Sequence, residues 1–335
     1  MSTCLVLTTI NPPSRQWQKI VQTSQQNDWQ VVIVGDAKSP ETLRIYGESY
    51  YDLNRQAKEF IEFSNLLPKN HYARKNLGYL IARARGARII VETDDDNFPY
   101  DDKFFSARSS TITGRTLASY KSVWLNPYTY FTDEYCWPRG IPLEVIQETC
   151  EAYTTAEEVV RNVFVQQGLA DKNPDVCAVF RLTRRLPVTF RSDAAPLIVP
   201  RGTGVPFNSQ NTTIFEEAFP LLYLPSFVSF RMTDIWRSFV ALRLMHEYGW
   251  NLAFMAATVY QDRNDHNLLK DFTGEIPGYL NNDRIWTDLQ ETSFSGGASN
   301  ILSHIYSAYQ TLVNSEIVPA EELKVLRSWL SEFDR

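Results

Sequence analysis

Residues 89–102 read IIVETDDDNFPYDD, with five aspartates and one glutamate in fourteen positions. The apolar Ile89-Ile90-Val91 leads almost directly into Asp94-Asp95-Asp96. Neighbouring carboxylates repel, so something must offset them. Oxygen-only ligands suit a hard divalent cation, Mg2+ or Mn2+. In an extended chain Asp94 and Asp96 point to one side and Asp95 to the other. That is a two-carboxylate metal site with positions left for substrate phosphates. An EF-hand is excluded, because its glycine at position 6 and glutamate at position 12 are missing. A solvated acidic turn is the competing reading.

Other residues join this chemistry. Arg74-Lys75-Asn76 falls in the first turn of a helical pattern, where the helix dipole disfavours each cation by about 0.3–1 kcal/mol. Free N–H groups and two cations there make an anion site. A diphosphate bridging that tip and a metal one strand later is the economical reading; two solvated side chains are the plain one. His266 ends QDRNDH (261–266) after another strand-like run. Imidazole is a more natural ligand for Mn2+ than for Mg2+, and a surface or capping histidine is the alternative. Asp234 opens TDIWRS (233–238). It would offset a helix dipole, or act on an acceptor hydroxyl as base or clamp. PRGTGVPFNSQNT (200–212) is a Gly/Pro loop dense in amides. It fits sugar hydroxyls, which need paired donors and acceptors, and equally fits a surface loop. No G-x-G-x-x-G, Walker A, H-E-x-x-H or G-x-S-x-G pattern occurs. The commonest dinucleotide, NTPase, zincin and serine-hydrolase readings therefore fall away.

The elements that position these residues follow from periodicity. Residues 4–10 and 29–36 read as strands, with Ser14 as N-cap of a helix between them. Residues 53–67 are helical by pattern. In 72–87, Leu77, Leu80, Ile81 and Ala84 recur at helical spacing, with Gly86 placed to cap the end. Residues 88–93 form the next strand. This βαβ alternation predicts a mostly parallel α/β sheet in the first third. Ligands bind beyond the carboxyl ends of such strands, where Asp36 and Asp94 lie. Further on, 98–142 looks irregular, 156–169 reads as helix and 175–182 as strand. Residues 230–249 form an amphipathic helix with Thr233 as N-cap, 251–260 a strand, and 298–313 and 320–333 closing helices.

Composition sets outer limits. The 335 residues carry a formal net charge of -6, with 44% hydrophobic and 13% aromatic residues. A nucleic-acid binder would show a basic field, so nucleic acid is set aside. Cys4, Cys136, Cys150 and Cys177 are scattered without C-x-x-C spacing, which fits a reducing, cytoplasmic setting. No run approaches the ~20 apolar residues of a membrane span. The formal sequon Asn211-Thr212-Thr213 is read as chance.

The ordered stretches VVIVGDAKSP, YARKNLGYLIARARGA, VETDDDN, WPRGIPL, GLADKNPDVCAVFRLT, PFNSQNT, FRMTDIWRS and QDRNDHNLLKDF resemble the STELLO glycosyltransferase-like family over roughly residues 4–280. A remoter similarity runs to the UDP-arabinopyranose mutases, through the triple aspartate, PRGIP (138–142), Asp234-Ile235-Trp236 and the later histidine. The resemblance implies a GT-A-like, Rossmann-type nucleotide-sugar fold with a mostly parallel central sheet. It implies a domain over 1–285 and a C-terminal helical extension over 286–335 packed on it. By the same likeness Thr8, Thr9 and Asp36 would hold uridine, and Lys38, Arg74 and Asn76 would reach ribose and diphosphate. Asp95 would face the nucleotide sugar. Asp94, Asp96 and His266 would bind Mn2+ or Mg2+. Asp234 and Arg139 would be catalytic, facing the reacting sugar or acceptor. Cys177 stands where the family more usually has aspartate. The expected function is a metal-dependent glycosyltransferase with a UDP-sugar donor and an unknown glycan, small-molecule or protein acceptor. A UDP-sugar mutase, a non-catalytic nucleotide-sugar-binding scaffold and a nucleotidyltransferase are the rivals.

Overall fold

A computed structural model describes residues 1–100, 102–119, 122–151, 154–263 and 267–334. For residues 102, 118, 119 and 154–157 the backbone alone is described. The strands are β1 (Thr3–Thr8), β2 (Gln30–Val34), β3 (Tyr50–Tyr51), β4 (Ile89–Thr93), β5 (Asn97–Pro99), β6 (Thr111–Ser119), β7 (Thr154–Asp171), β8 (Leu197–Ile198), β9 (Asn211–Phe215) and β10 (Asn251–Gln261). The helices are α1 (Arg15–Gln26), α2 (Leu53–Glu59), α3 (Ile61–Leu66), α4 (Lys75–Ala84), α5 (Tyr128–Phe131), α6 (Ile146–Thr149), α7 (Ala178–Thr183), α8 (Thr233–Tyr248), α9 (Leu268–Glu291), α10 (Ile301–Asn314) and α11 (Glu322–Ser331).

The strands form one sheet in the order β3-β2-β1-β4-β9-β7-β6-β8-β10-β5, with β7 also paired to β10. β1, β2, β3 and β4 pair in parallel, as the sequence predicts for the first third. Beyond β4 the sheet is mixed: β9 is antiparallel to β4 and β7, and β6 is antiparallel to β7. β10 is parallel to β7 but antiparallel to β8 and β5. The fold class is α/β, and the mostly parallel description holds only for its first four strands.

Local chemistry explains the boundaries. The Ser14 hydroxyl accepts from the Trp17 amide at 3.1 Å and starts α1. Asp52 starts α2 in the same way, accepting from Arg55 N at 2.8 Å. The expected 53–67 helix is broken at Phe60, whose φ/ψ of -139/66 is not helical. α4 lies tight against the parallel strands at Gly78, where an added Cβ would come within 2.6 Å of Val6 and 2.9 Å of Val34. Only glycine lets the helix approach this closely.

Two readings of element type fail. The 156–169 stretch is strand β7, not a helix. Its Val159-Val160, Val163 and Val165 are β-branched, and pairing with β6, β9 and β10 overrides the apparent helical period. The 175–182 stretch is not a strand: it leads into α7, which begins after Cys177. α9 was not anticipated, because Gly274, Pro277 and Gly278 interrupt its helical signal. The 285/286 boundary falls inside α9. Ile285 and Trp286 share one buried cluster with Ile305 and Leu312 of α10 and Trp329 of α11. Trp329 packs on Phe63 at 5.9 Å, and Glu322 accepts from Ser226 N at 2.8 Å and Phe227 N at 2.7 Å, which ties α11 to the earlier chain.

Candidate functional site

The carboxyl ends of β1, β2 and β4 open onto a cavity of ≈ 460 Å³. Thr8, Thr9, Asp36, Lys38, Arg74 and Asp94-Asp95-Asp96 all line it, drawn from segments far apart in sequence. His71, Tyr72, Phe230, Arg231, Gln261 and Arg263 complete much of its wall.

The triple aspartate is not extended. The Asn97 amide donates to the Asp94 carbonyl at 3.3 Å, so the chain turns there. The three carboxylates go to three different neighbours. Asp94 Oδ1 accepts from the Tyr72 hydroxyl at 2.7 Å and from the Lys75 ammonium at 3.1 Å. Asp95 Oδ2 accepts from the Thr9 hydroxyl and from Asn11 Nδ2 at 2.8 Å. Asp96 is buried, with Oδ2 accepting from Gln261 Nε2 at 3.0 Å and Oδ1 from Asn97 Nδ2 at 3.2 Å. Lys75 is the cation that offsets Asp94. It is 0% exposed and also donates to the carbonyls of Thr93 at 2.8 Å and Ser209 at 3.2 Å. Sequence reasoning counted Lys75 as one of two cations of an anion site, not as the counter-charge of Asp94. The signal was present, because a lysine in the first turn of an apolar helix is costly unless a buried anion meets it.

The basic helix tip is therefore turned inward. The Arg74 guanidinium donates to Gln56 Oε1 at 2.9 and 2.6 Å, to Ser64 Oγ at 3.1 Å and to the Leu67 carbonyl at 3.4 Å. It borders the cavity with most of its hydrogen-bonding capacity spent. Asn76 corrects the expectation outright. It is fully buried, and its amide both donates to the Leu224 carbonyl and accepts from the Leu224 N–H, each at 2.8 Å. It fastens α4 to the 224 segment and does not line the cavity. Asp36 accepts backbone N–H groups from Ala37 at 2.6 Å, Asn70 at 2.7 Å and His71 at 3.0 Å. Its carboxylate orders the 70–71 turn at the cavity rim. Burial pushes the His71 imidazole below its ordinary range, against the pull of Asp36, and Nδ1 accepts from the Ala73 amide at 3.1 Å.

Behind this cavity lies a network of buried ion pairs. Arg139 donates to Asp175 from Nε and Nη2, both at 2.8 Å, and to Asp234 from Nη1 and Nη2, both at 3.0 Å. Nη1 also donates to the Arg231 carbonyl. These five bonds match the five N–H donors of a guanidinium. Arg139 and Asp234 are thus brought together as a locked pair. Burial opposes the charge on Asp234, yet Arg139 outweighs it and holds the carboxyl below its ordinary range. Such a carboxylate is a weak proton acceptor. The expected N-cap Thr233 does not cap α8; Met232 occupies that position, and Thr233 Oγ1 donates to the Phe230 carbonyl at 3.1 Å. One turn on, Arg237 of α8 clamps Glu92 of β4 at 2.9 and 3.1 Å, both fully buried. Arg231 donates to Glu275 Oε1 of α9 at 2.7 Å, and Glu275 Oε2 accepts from the Ala178 amide at 2.7 Å.

Cys177 caps α7, its sulfur accepting from the Phe180 amide at 3.5 Å and from Trp137 Nε1 at 3.2 Å. An N-cap is a position that aspartate favours, which accounts for either residue there. The 200–212 loop is mostly buried; its Asn208 accepts from the Gln210 amide at 2.9 Å, and Thr212 donates to the Asn208 carbonyl at 2.7 Å. His266 lies outside the described residues. Among the described residues no group of three or more His, Cys, Asp or Glu assembles as a metal-ligand set. Asp94 and Asp96 remain two hard oxygen donors on one cavity, and the Asp94 side chain is 32% exposed. That donor chemistry fits a divalent cation as far as two ligands.

An α/β protein with a charged cavity at the carboxyl ends of parallel strands is the class these observations define. Residues 231–335, which begin at the Arg231 wall and include Asp234, match the family described as STELLO glycosyltransferases. The chain is 29% identical over 272 residues to "Probable glycosyltransferase STELLO2" of Arabidopsis thaliana, covering 77% of this chain and 35% of that protein. It is 26% identical to "Probable glycosyltransferase STELLO1" of the same plant, covering 98% of this chain and 44% of that protein. The chain is thus similar to STELLO glycosyltransferases, by a family match over its last third and by these relatives, and spans less than half the length of the relatives. No helix of the described residues is long and apolar enough to cross a membrane.

Proposed function

We propose that this chain is a glycosyltransferase of GT-A-like build that takes a UDP-sugar as donor. One observation carries the reading: Thr8 at the end of β1 and Thr9 after it, Asp36 after β2 and Asp94-Asp95-Asp96 after β4 converge on a single cavity. Crevices beyond the carboxyl ends of parallel strands are where such sheets bind nucleotides. Thr8, Thr9 and Asp36 would face the nucleoside, and exposed Lys38 its phosphates. Arg231 and Arg263 at the inner wall supply further positive charge toward the diphosphate. Asp94 and Asp96 would hold Mn2+ or Mg2+, with His266 as third ligand; the ion when bound neutralises charge on the leaving nucleoside diphosphate. Asp234, kept ionised and fixed by Arg139, orients the reacting sugar or acceptor hydroxyl better than it would deprotonate it. The commitment of all five Arg139 N–H groups speaks against that arginine as a sugar carrier, and so against the mutase rival.

Calorimetric titration with UDP, with and without Mn2+, tests the donor. Binding strengthened by the metal is expected; no binding in either condition would favour a scaffold. Hydrolysis of a panel of UDP-sugars then tests the metal ligands. Asp94→Asn and Asp96→Asn should each abolish metal-dependent turnover while keeping a cooperative melt. Surviving turnover would remove the metal assignment.

A further inference from the structure

Past Asp94 the large cavity leads to an inner recess of ≈ 70 Å³, which shares Asp94, Arg231, Gln261 and Arg263 with it as walls. That is room for about two waters at ≈ 30 Å³ each. The recess takes a substituent, not a whole ring.

Its charges are unevenly matched. Arg139 is held by Asp175 and Asp234, Arg231 by Glu275 at 2.7 Å and Arg263 by Asp271 at 2.7 Å. Arg181, the fourth guanidinium in the wall, has no carboxylate at ion-pair distance among the described residues. Its Nη1 donates to Asn173 Oδ1 at 3.3 Å and its Nη2 to the Pro174 carbonyl at 2.8 Å. Its Nε is buried and makes no hydrogen bond. A buried N–H left unmade is costly, more so on a charged group. Burial and the nearby Arg263 charge draw the Arg181 pKa down to about 10.

We propose that the recess is an anion subsite that receives a carboxylate on the transferred sugar, a uronic-acid substituent, with Arg181 as its cation. The proposal rests on the nucleotide-sugar reading, because the recess shares its walls with the cavity given to the donor. A planar monoanion matches one guanidinium fork. A phosphate dianion would instead face Asp94, Asp175 and Asp234 in the same wall. Selectivity follows from the unmatched charge: an acidic sugar gives the Arg181 guanidinium the carboxylate it lacks, and a neutral sugar does not.

The experiment is calorimetric titration of the full chain with UDP and two matched pairs, UDP-glucose against UDP-glucuronate and UDP-galactose against UDP-galacturonate. In at least one pair the acidic sugar should bind about tenfold tighter or more, the scale of a charge-assisted hydrogen bond. Arg181→Gln should bring that ratio close to one, and Arg181→Lys should restore part of it. Melting curves establish that both variants fold; if Arg181→Gln does not, the wild-type ratio and the lysine variant decide. Equal or tighter binding of the neutral sugar in both pairs overturns the proposal, as does a ratio that survives in Arg181→Gln. If UDP binds without any acidic preference, only this subsite falls. If UDP does not bind, the donor reading falls and the subsite goes with it.

Discussion

Replacing Lys75 by methionine removes the cation that the acidic strand end relies on. The side chain keeps its length and loses every donor. The carbonyls of Thr93 and Ser209, now given 2.8 and 3.2 Å bonds, lose their ammonium partner. Each such loss costs about 1 kcal/mol. Asp94 loses an ion pair in which its partner is fully buried and it is 32% exposed. With one partner in water's reach, that pair contributes roughly 1 kcal/mol, well under the cost of stranding a fully buried charge. Relief from burying an ammonium returns some of the total, so Lys75→Met should destabilise by about 2–3 kcal/mol. Urea unfolding monitored through tryptophan fluorescence measures it, with an unchanged m-value as the check on two-state behaviour. Asp94→Asn added to Lys75→Met should cost less than the sum of the single changes, by about 1 kcal/mol, because an amide needs no cation. A loss under about 0.5 kcal/mol, or strict additivity, would refute the assignment of Lys75 as the counter-charge.

Arg237→Met strands Glu92 in the core with the Tyr79 hydroxyl as its remaining side-chain donor, and should cost about 3–5 kcal/mol in urea unfolding. Adding Glu92→Gln should recover part of that loss. Gly78→Ala drives a methyl into Val6 and Val34, so its melting temperature should fall, with a penalty of about 1–3 kcal/mol despite the better helix propensity of alanine. His246 is held near pKa 4 by burial and by the charges of Arg243 and Arg201. The unfolded chain takes up that proton near pH ~6.5, so this residue's share of stability is complete above that pH and is lost as pH falls toward 4. Between pH 7 and 5 the loss is roughly 2 kcal/mol, and His246→Gln, which still accepts from the Gly202 amide, should show a shallower fall in melting temperature over that interval.

The parallel half of the fold was readable because its signals are local. Ser14, α4 with Gly86 shortly after it, and the apolar runs of β1, β2 and β4 each state their own structure. The carboxyl-end rule pointed to the strand-end aspartates, the family resemblance added Thr8 and Thr9, and all of them line one cavity. The antiparallel half was not readable, because β7 owes its conformation to β6, β9 and β10, which lie up to tens of residues away. Side-chain direction was the other blind spot. Arg74 and Asn76 were rightly placed at the start of α4, but their partners Gln56, Ser64 and Leu224 could not be inferred from spacing. Arg181 and Asp175 sat in a stretch misread as strand, so their meeting with Arg139 and Arg231 was hidden.

The buried charges explain why the acidic run is tolerated at all. Glu92 and Asp94 are two residues apart, and each receives its own cation from a different helix: Arg237 from α8 and Lys75 from α4. Asp234, one turn before Arg237, then needs a separate partner and takes Arg139, which Asp175 shares. Arg231 in turn leans on Glu275 of α9. Buried ion pairs are a poor source of stability compared with apolar packing of the same volume. Their concentration at one end of the sheet, against ordinary aliphatic and aromatic packing elsewhere, is therefore better explained by orientation than by stability. Each pair fixes a donor or an acceptor at the cavity to an element that cannot drift, which is the preorganisation that recognition of a charged, hydroxyl-rich ligand demands.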